Sequence, residues 1–444
     1  MSISLIFISW NGYWDQYGKS ITENINNFNT QPDEIIVVSD VPIDTSEINC
    51  TNIKNVIAKP GINGYNYGML KNVGVKNASC EWIVFLDLDD IQNPQYLDSL
   101  DDSADIHGFS FILNGYAYIP NEKSLEARIN AVSGLNMIPG TSAFKRHIFD
   151  MIDFEYGCYE DHIFYSMCYK LNLKVAFDNI IRFTYTGFHK SKNHEEMTRI
   201  GDIYRDTLLG NRSIYCFWFG NEMTENRLRN LQIMKDSCGV NLVLINDESF
   251  YDYNNEEIPI HPGFKHLSAI QKSDYARAYI MYFYGGGYSD IKENKFDWNE
   301  YFDKLFLSKA SMIGYAEKSF NDLGNFWHDQ TDIKNDVMQN YEKFIGMGHF
   351  IFKPKTQICL AWLLEIHSMM NSRYAELEKN PGIHPYNIKG GAHHSYKGIH
   401  MPANNDYPFI WAELGGITMH KMQYIFGLQE SLPGMPYANM NNYR

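Results

Sequence analysis

Residues 82–90 read Trp-Ile-Val-Phe-Leu-Asp-Leu-Asp-Asp (WIVFLDLDD). Five apolar residues in a row, rich in aromatic and β-branched types, predict a short strand buried on both faces. The run passes straight into Asp87-Leu88-Asp89. Carboxylates at i and i+2 after a strand can face the same way, because side chains alternate with period two. Two hard oxygen ligands facing one crevice suit Mg2+ or Mn2+, with coordination left over for phosphate oxygens and water. Taken alone, the same triplet also fits acids that cap the next helix or stand in solvent.

The sequence on either side has the same character. Residues 3–9 and Glu34–Ser39 (EIIVVS) are continuous apolar runs and predict buried strands, the second ending on Asp40. Polar amphipathic stretches at 16–28 and 65–78 predict helices between them. Strands alternating with helices imply a parallel sheet, and ligands of such sheets sit beyond the carboxyl ends of the strands. Ser9, Asp40 and Asp87 all fall at such ends.

Near residue 212 this alternation restarts. Residues 213–219 (SIYCFWF) and 240–245 (VNLVLI) predict strands, and 222–235 and 266–282 predict helices. The second helix breaks at Gly285-Gly286-Gly287 and leads through Tyr288 and Ser289 to Asp290. The expectation is an α/β protein of two domains, residues 1–210 and 211–444, with similar plans and no detectable internal repeat.

Composition narrows the function. The 444 residues are 44% apolar and 20% charged, which suits a globular chain with a full core. Lysine and arginine number 38 against 53 acids, a net charge of −15, which argues against a dedicated nucleic-acid binder. Apolar runs stay far below the roughly 18 residues that span a bilayer. There is no basic leader and no C-x-x-C pair among the seven scattered cysteines, so a cytoplasmic, reducing location is expected. Contact with a membrane surface stays open.

The ordered set Ser9-Trp10-Asn11, Asp40, Lys71-Asn72, Asp87-Leu88-Asp89-Asp90 and Glu160-Asp161 resembles family 2 glycosyltransferases of the GT-A fold over residues 1–190. The resemblance implies a UDP- or GDP-sugar donor and a Mn2+ or Mg2+ cofactor. It places Ser9, Asp40, Lys71, Asn72 and Asp87 at the donor and Asp89 and His189 at the metal. Glu160-Asp161 then matches the family's E-D motif, with Asp161 as the base that deprotonates an acceptor hydroxyl and inverts the anomeric centre. An Asp near its usual value of about 4 is ionised at neutral pH, as such a base must be. The family often has Arg-Asn where this chain has Lys71-Asn72, and lysine offers a point charge in place of a fork. For His189 an ordinary exposed or satisfied imidazole is the alternative.

In the second half, Phe217-Trp218-Phe219-Gly220, then Ser273-Asp274…Arg277, then Gly285-Gly286-Gly287-Tyr288-Ser289-Asp290 resembles family 32 glycosyltransferases and related capsular polysaccharide synthesis proteins over residues 212–300. This implies a second, retaining GT-A domain in which Trp218 stacks near the nucleobase. Asp274 and Arg277 would hold the donor sugar, and Gly286 and Gly287 would let the backbone approach it. The chain departs from the family at Asp290-Ile291-Lys292, where one expected carboxylate is a lysine. Lys292 either neutralises the diphosphate directly or marks a decayed domain. Gly346–Phe350 and residues 384–391 look like loops rimming a pocket, and His393, His394 and His420 complete no recognisable metal spacing.

The expected function is a bifunctional glycosyltransferase that builds a glycan or polysaccharide from nucleotide sugars in two tandem GT-A domains. The alternative is one active N-terminal transferase beside a decayed scaffold or glycan-binding module. A nucleotidyltransferase would carry a glycine-rich basic loop after the first strand, which Ser9-Trp10-Asn11-Gly12 lacks.

Overall fold

The computed structural model describes residues 1–10, 12–59, 67–113, 115–121, 139–155, 160–186, 199, 202, 203, 206, 207, 210, 212–220, 222–382 and 406–439. They form two compact units, Met1–Asp202 and Ile203–Arg444. Each is a mixed α/β unit. Among the described residues no helix is long and apolar enough to cross a membrane.

In the first unit, β1 (Ile3–Ser9), β2 (Glu34–Ser39) and β4 (Trp82–Leu86) are buried along their whole length. Continuous apolar strands of this kind belong in the middle of a parallel sheet. They pair parallel in the order β3-β2-β1-β4, with β3 at Ile53–Ile57. Helix α1 (Tyr13–Asn26) turns Ile21 and Ile25 inward, and α2 (Tyr67–Asn77) buries Leu70 and Val75. Because β2 and β4 flank β1 on opposite sides, the strand order reverses between β1 and β4, and such a switch opens a crevice at the carboxyl ends. Ser9 pairs with Ser39 and Phe7 with Leu86, so Ser9, Asp40 and Asp87 leave the sheet at its carboxyl edge.

The strands beyond β4 are mixed. β8 (Ala143–Lys145) runs antiparallel to β4 and to β6 (Ile106–Leu113), and β6 pairs parallel with β9 (Val175–Tyr185). The two-residue β5 (Ile91–Gln92) pairs antiparallel with β9. β7 (Tyr116–Tyr118) pairs with β6. Helix α3 (Glu160–Lys170) places its acids in the first turn, where the helix dipole favours negative charge.

In the second unit the order is β11-β10-β12-β14-β13-β15. β10 (Ser213–Phe217) pairs parallel with β11 (Asn241–Ile245) and with β12 (Gly286–Ser289). β14 (Ile345–Phe352) lies antiparallel to β12 and to β13 (Met312–Ala316), which takes β15 (Ser431–Pro433) at its far edge. The order β2-β1-β4-β8 in the first sheet therefore has the same directions as β11-β10-β12-β14 in the second. Helix α4 (Glu225–Ser237) follows β10, and α5 (Ala269–Phe283) buries ten of its 15 residues, as a helix within the core must.

Three local expectations change. The second long helix starts at Ala269, because Pro262–His266 forms a separate 3-10 turn whose cap, His261, accepts the Gly263 N–H through Nδ1 at 2.9 Å. The glycine run does not simply end the helix: Gly286 and Gly287 are the first residues of β12, buried between β10 and β14. Gly346–Phe350 is no loop but the middle of β14, and His349 is buried with Nε2 2.7 Å from the Pro436 carbonyl.

Candidate active site

The first site is built where β1, β4 and the start of α3 converge. The Tyr67 hydroxyl donates to Asp87 Oδ1, and the Gln92 amide donates to the Asp87 carbonyl at 2.8 Å. On the other side of Asp89, Thr186 donates its hydroxyl to the Asp89 carbonyl and its N–H to Asp90 Oδ1 at 3.2 Å. The short pairing of β5 with β9 brings Thr186 there, since Ile91 stands opposite Thr184. The D-L-D-D turn is thus fixed from both sides.

Lys71 is the buried cation of this site. Its Nζ lies 3.3 Å from Glu160 Oε1, and the rings of Phe154, Tyr67 and Phe85 surround it at 4.8, 4.9 and 5.5 Å. Burial pushes the Asp87 carboxyl up, while Lys71 and Tyr67 hold it back and Asp89 and Asp161 push it further. Burial likewise lifts Glu160 to about 7, with Lys71 opposing and Asp161 assisting. Asp90 rises to about 8 through burial and its acidic neighbours, and its Oδ2 is buried without a hydrogen-bond partner. The site gathers more carboxylates than buried cations, so a divalent ion fits its chemistry.

Asp161 accepts the His162 N–H at 2.7 Å, and a β-carbon on Gly140 would stand 3.0 Å from its Oδ2 and 3.4 Å from Lys71 Nζ. Asp161 and Lys71 therefore border the same small space under Gly140. Asn72 is turned away from it: its amide donates to the Phe154 carbonyl at 2.8 Å and accepts the Phe154 N–H at 2.9 Å. That exchange ties α2 to the segment before α3. Ser9 is buried at the end of β1, and Asp40 is half-buried beyond β2. His189, His393 and His394 lie outside the described residues, as do residues 384–391. Among the described residues no three His, Cys, Asp or Glu side chains are arranged to hold a metal ion. A cation here would rest on Asp87 and Asp89 with ligands from outside that set.

The second site is a closed network. Arg277 donates through Nη1 to Asp274 Oδ1 at 2.9 Å and through Nη2 to the Tyr288 hydroxyl at 2.8 Å and Asp290 Oδ1 at 3.3 Å. Its guanidinium lies 4.3 Å from the centre of the Tyr288 ring. The Tyr288 hydroxyl donates to Asp290 Oδ1 at 2.5 Å, and Lys292 Nζ stands 2.7 Å from Oδ2. Burial works to raise Asp290, yet Lys292 and Arg277 hold it at about 2. Asp274 goes the other way, lifted to about 6 by burial against the pull of Arg277. In this arrangement the residues do not fit a divalent ion.

Trp218 is half-buried at the end of β10, with the Arg227 guanidinium 5.6 Å from its ring. Gly286 and Gly287 are glycines for the sheet's sake. A β-carbon on Gly286 would meet the Ser213 carbonyl at 2.7 Å, and one on Gly287 would meet Ile214 at 2.5 Å and Trp298 at 2.7 Å.

Several neighbours carry no sequence signal. Tyr67 and Gly140 belong to no motif, yet they shape the first site. Glu317, just past β13, is lifted to about 7 by burial and Asp322 against the pull of Lys292. His420 is buried, with Nδ1 accepting the Gly324 N–H at 3.0 Å and Nε2 3.2 Å from the Ile345 carbonyl, so it serves packing and not a metal.

Residues 4–215 match the family described as Glycosyl transferase family 2. No curated protein matches the chain. Similar solved structures include S. aureus TarS 1-349, 16% identical with a TM-score of 0.33, covering 53% of this chain and 66% of that one. The mannosyltransferase PcManGT from Pyrobaculum calidifontis, in complex with GDP-Man and Mn2+, is 13% identical with a TM-score of 0.31, covering 46% and 61%. Glucosyl-3-phosphoglycerate synthase from Mycobacterium tuberculosis is 16% identical with a TM-score of 0.32, covering 46% and 77%. The chain spans just under two thirds of the TarS 1-349 chain. Over residues 4–215, just under half of the chain, the protein is similar to glycosyl transferase family 2.

Proposed function

We propose that the first domain transfers a sugar from a UDP- or GDP-sugar to a hydroxyl of a growing glycan, with inversion and with Mn2+ or Mg2+ bound. The observation that carries this reading is the convergence of Asp87, Asp89, Glu160 and Asp161 on the switch point of a sheet inside the matched segment. Ser9 and Asp40 border the crevice where the nucleoside would lie. Lys71, caged by aromatic rings, opposes the burial-driven rise of Glu160 and Asp87 and is read as part of the donor site.

In the transfer, the acceptor oxygen forms a bond to the anomeric carbon from the face opposite the nucleoside diphosphate. The bond from that carbon to the phosphate oxygen breaks and its electron pair leaves with the diphosphate. The acceptor proton passes to the Asp161 carboxylate, whose Oδ1 accepts the His162 N–H and whose Oδ2 lies beside Gly140. A divalent ion held by Asp89 and Asp87 would neutralise charge on the diphosphate. Tyr67, by donating to Asp87, fixes how that carboxylate is presented.

The second domain, expected at residues 211–444 within the unit Ile203–Arg444, is read as a second transferase, with Trp218, Asp274, Arg277, Asp290 and Lys292 at its donor. The strand order and directions shared with the first sheet support this. A scaffold or glycan-binding module is the other reading, favoured by an Asp290 carboxylate engaged at both oxygens.

The test is donor turnover by the whole chain over a panel of nucleotide sugars, with Mn2+ and with chelator. Asp161→Asn is expected to lower kcat by about 10^2 to 10^4. Asp89→Ala is expected to remove the response to Mn2+, and Asp290→Ala to remove turnover of a different donor. Loss of all turnover through Asp89→Ala alone would leave the second unit as a scaffold. A wild type that turns over no donor and binds no nucleoside diphosphate would end the transferase reading.

A further inference from the structure

The family 32 resemblance implies a divalent ion at Asp290, and the second unit's geometry has no place for one. Asp290 Oδ2 pairs with Lys292 Nζ at 2.7 Å, and Oδ1 already accepts the Tyr288 hydroxyl at 2.5 Å and Arg277 Nη2 at 3.3 Å. A metal at the usual distance of about 2.1 Å from a carboxylate oxygen would displace these donors and stand beside two fixed positive charges. The other candidate ligands are engaged too. Asp274 accepts from Arg277 at 2.9 Å and is sealed by Gly415, where a β-carbon would come within 2.6 Å of its Oδ1. His349, which pairs with Ser289 across the sheet, has Nε2 at 2.7 Å from the Pro436 carbonyl.

We propose that the second unit binds a nucleoside diphosphate without any divalent cation, with Lys292 in the place where a metal would bridge Asp290 and the diphosphate. This rests on reading the second unit as a nucleotide-sugar site. Three observations make the substitution coherent. Lys292 is the residue at which a carboxylate would complete the D-x-D triplet, so one change removes a metal ligand and adds a positive charge at the same position. An ammonium has three donors in a flexible arrangement, so it can hold Asp290 and a phosphate oxygen together. The charges also balance: Asp274 and Asp290 face Arg277 and Lys292, while burial and Asp322 lift Glu317 to about 7, so it adds little repulsion toward an anion below that pH. In the first site the acids outnumber the buried cations, so the two sites call for opposite cation behaviour.

The experiment measures UDP and GDP binding by calorimetry to the full chain carrying Asp89→Ala, with Mn2+ and with EDTA. The expected result is binding whose affinity changes less than about twofold on chelation and falls about tenfold or more when Lys292→Ala is added. Lys292→Asp, which restores the second carboxylate, is expected to make binding respond to Mn2+. Binding that requires Mn2+ with Lys292 in place would overturn the proposal while leaving a second transferase intact. EDTA-resistant binding that Lys292→Ala does not weaken would also overturn it. If the Asp89→Ala protein binds neither nucleotide under either condition, the nucleotide-site reading of the second unit fails, and the proposal with it. The comparison of Mn2+ with EDTA leaves the second unit unaltered, so binding that requires Mn2+ counts against the proposal even if a Lys292 variant folds poorly.

Discussion

Lys71 and Glu160 lie 89 positions apart in the sequence and 3.3 Å apart in the fold, both nearly excluded from water, with the Lys71 ammonium enclosed by aromatic rings. The pair joins α2 to the first turn of α3 directly beside the proposed base, Asp161. Removing Lys71 leaves the buried Glu160 without its cation, and removing Glu160 leaves the Lys71 ammonium without its carboxylate, in a place with little solvent to replace either. Lys71→Met is therefore expected to lower stability by about 3 kcal/mol, with Glu160→Gln milder because an amide oxygen still accepts from Nζ. Urea unfolding of both variants checks the order.

The same pair predicts a slope with pH. Glu160 titrates at about 7 in the folded chain against an ordinary 4.5, so between these values the folded state holds a proton that the unfolded state has lost. Its contribution is full below about pH 4.5 and disappears as pH rises through about 7. Thermal melts from pH 5 to 8 should show Tm falling more steeply in wild type than in Glu160→Gln. Equal slopes would contradict the assignment.

Gly140 borders the proposed catalytic space. A methyl there would stand 3.0 Å from Asp161 Oδ2 and 3.4 Å from Lys71 Nζ, so the carboxylate must shift by a few tenths of an ångström. Gly140→Ala should lower kcat about tenfold and leave KM for the donor nearly unchanged, since positional errors at a reacting group act on the chemical step. A change confined to donor KM would place Asp161 elsewhere in the reaction.

Glu34 contributes stability to the first unit that acid removes. It is wholly buried and accepts from Ser4, Ser79, Cys80 and Lys54. Burial alone would raise its carboxyl, but these donors hold it at about 2 against an ordinary 4.5. A depressed acid stabilises the fold above its unfolded value, and that contribution is lost as pH falls from about 4.5 toward 2. Glu34→Gln should cost about 3 kcal/mol at pH 7, with the gap to wild type narrowing below pH 4.

Gly287→Ala separates a packing role from a ligand role. The added carbon would lie 2.5 Å from Ile214 and 2.7 Å from Trp298, both buried. Overpacking of this kind typically lowers stability by about 1–3 kcal/mol. Denaturant melts should show that loss. A variant with wild-type stability and weakened nucleotide binding would restore a ligand-contact role for this glycine.

The sequence by itself determined the central strands and what stands at their ends. β1, β2, β4 and β10 were legible because a parallel strand buried on both faces needs an unbroken apolar run, and that signal is local; β11, a partly exposed edge strand, was legible from its apolar run as well. Asp40, Asp87 and Asp89 could be placed at strand ends for the same reason. The tertiary structure alone decided the rest. β12 is half glycine, and glycine has no strand preference of its own, so only the close approach of Ile214 and Trp298 explains it. β14 contains Gly346 and Gly348 and is a strand because β12 and β13 flank it. The aromatic cage of Lys71 and the locking of Asp290 by Arg277, Tyr288 and Lys292 depend on how distant side chains pack, and spacing along a chain carries no record of that.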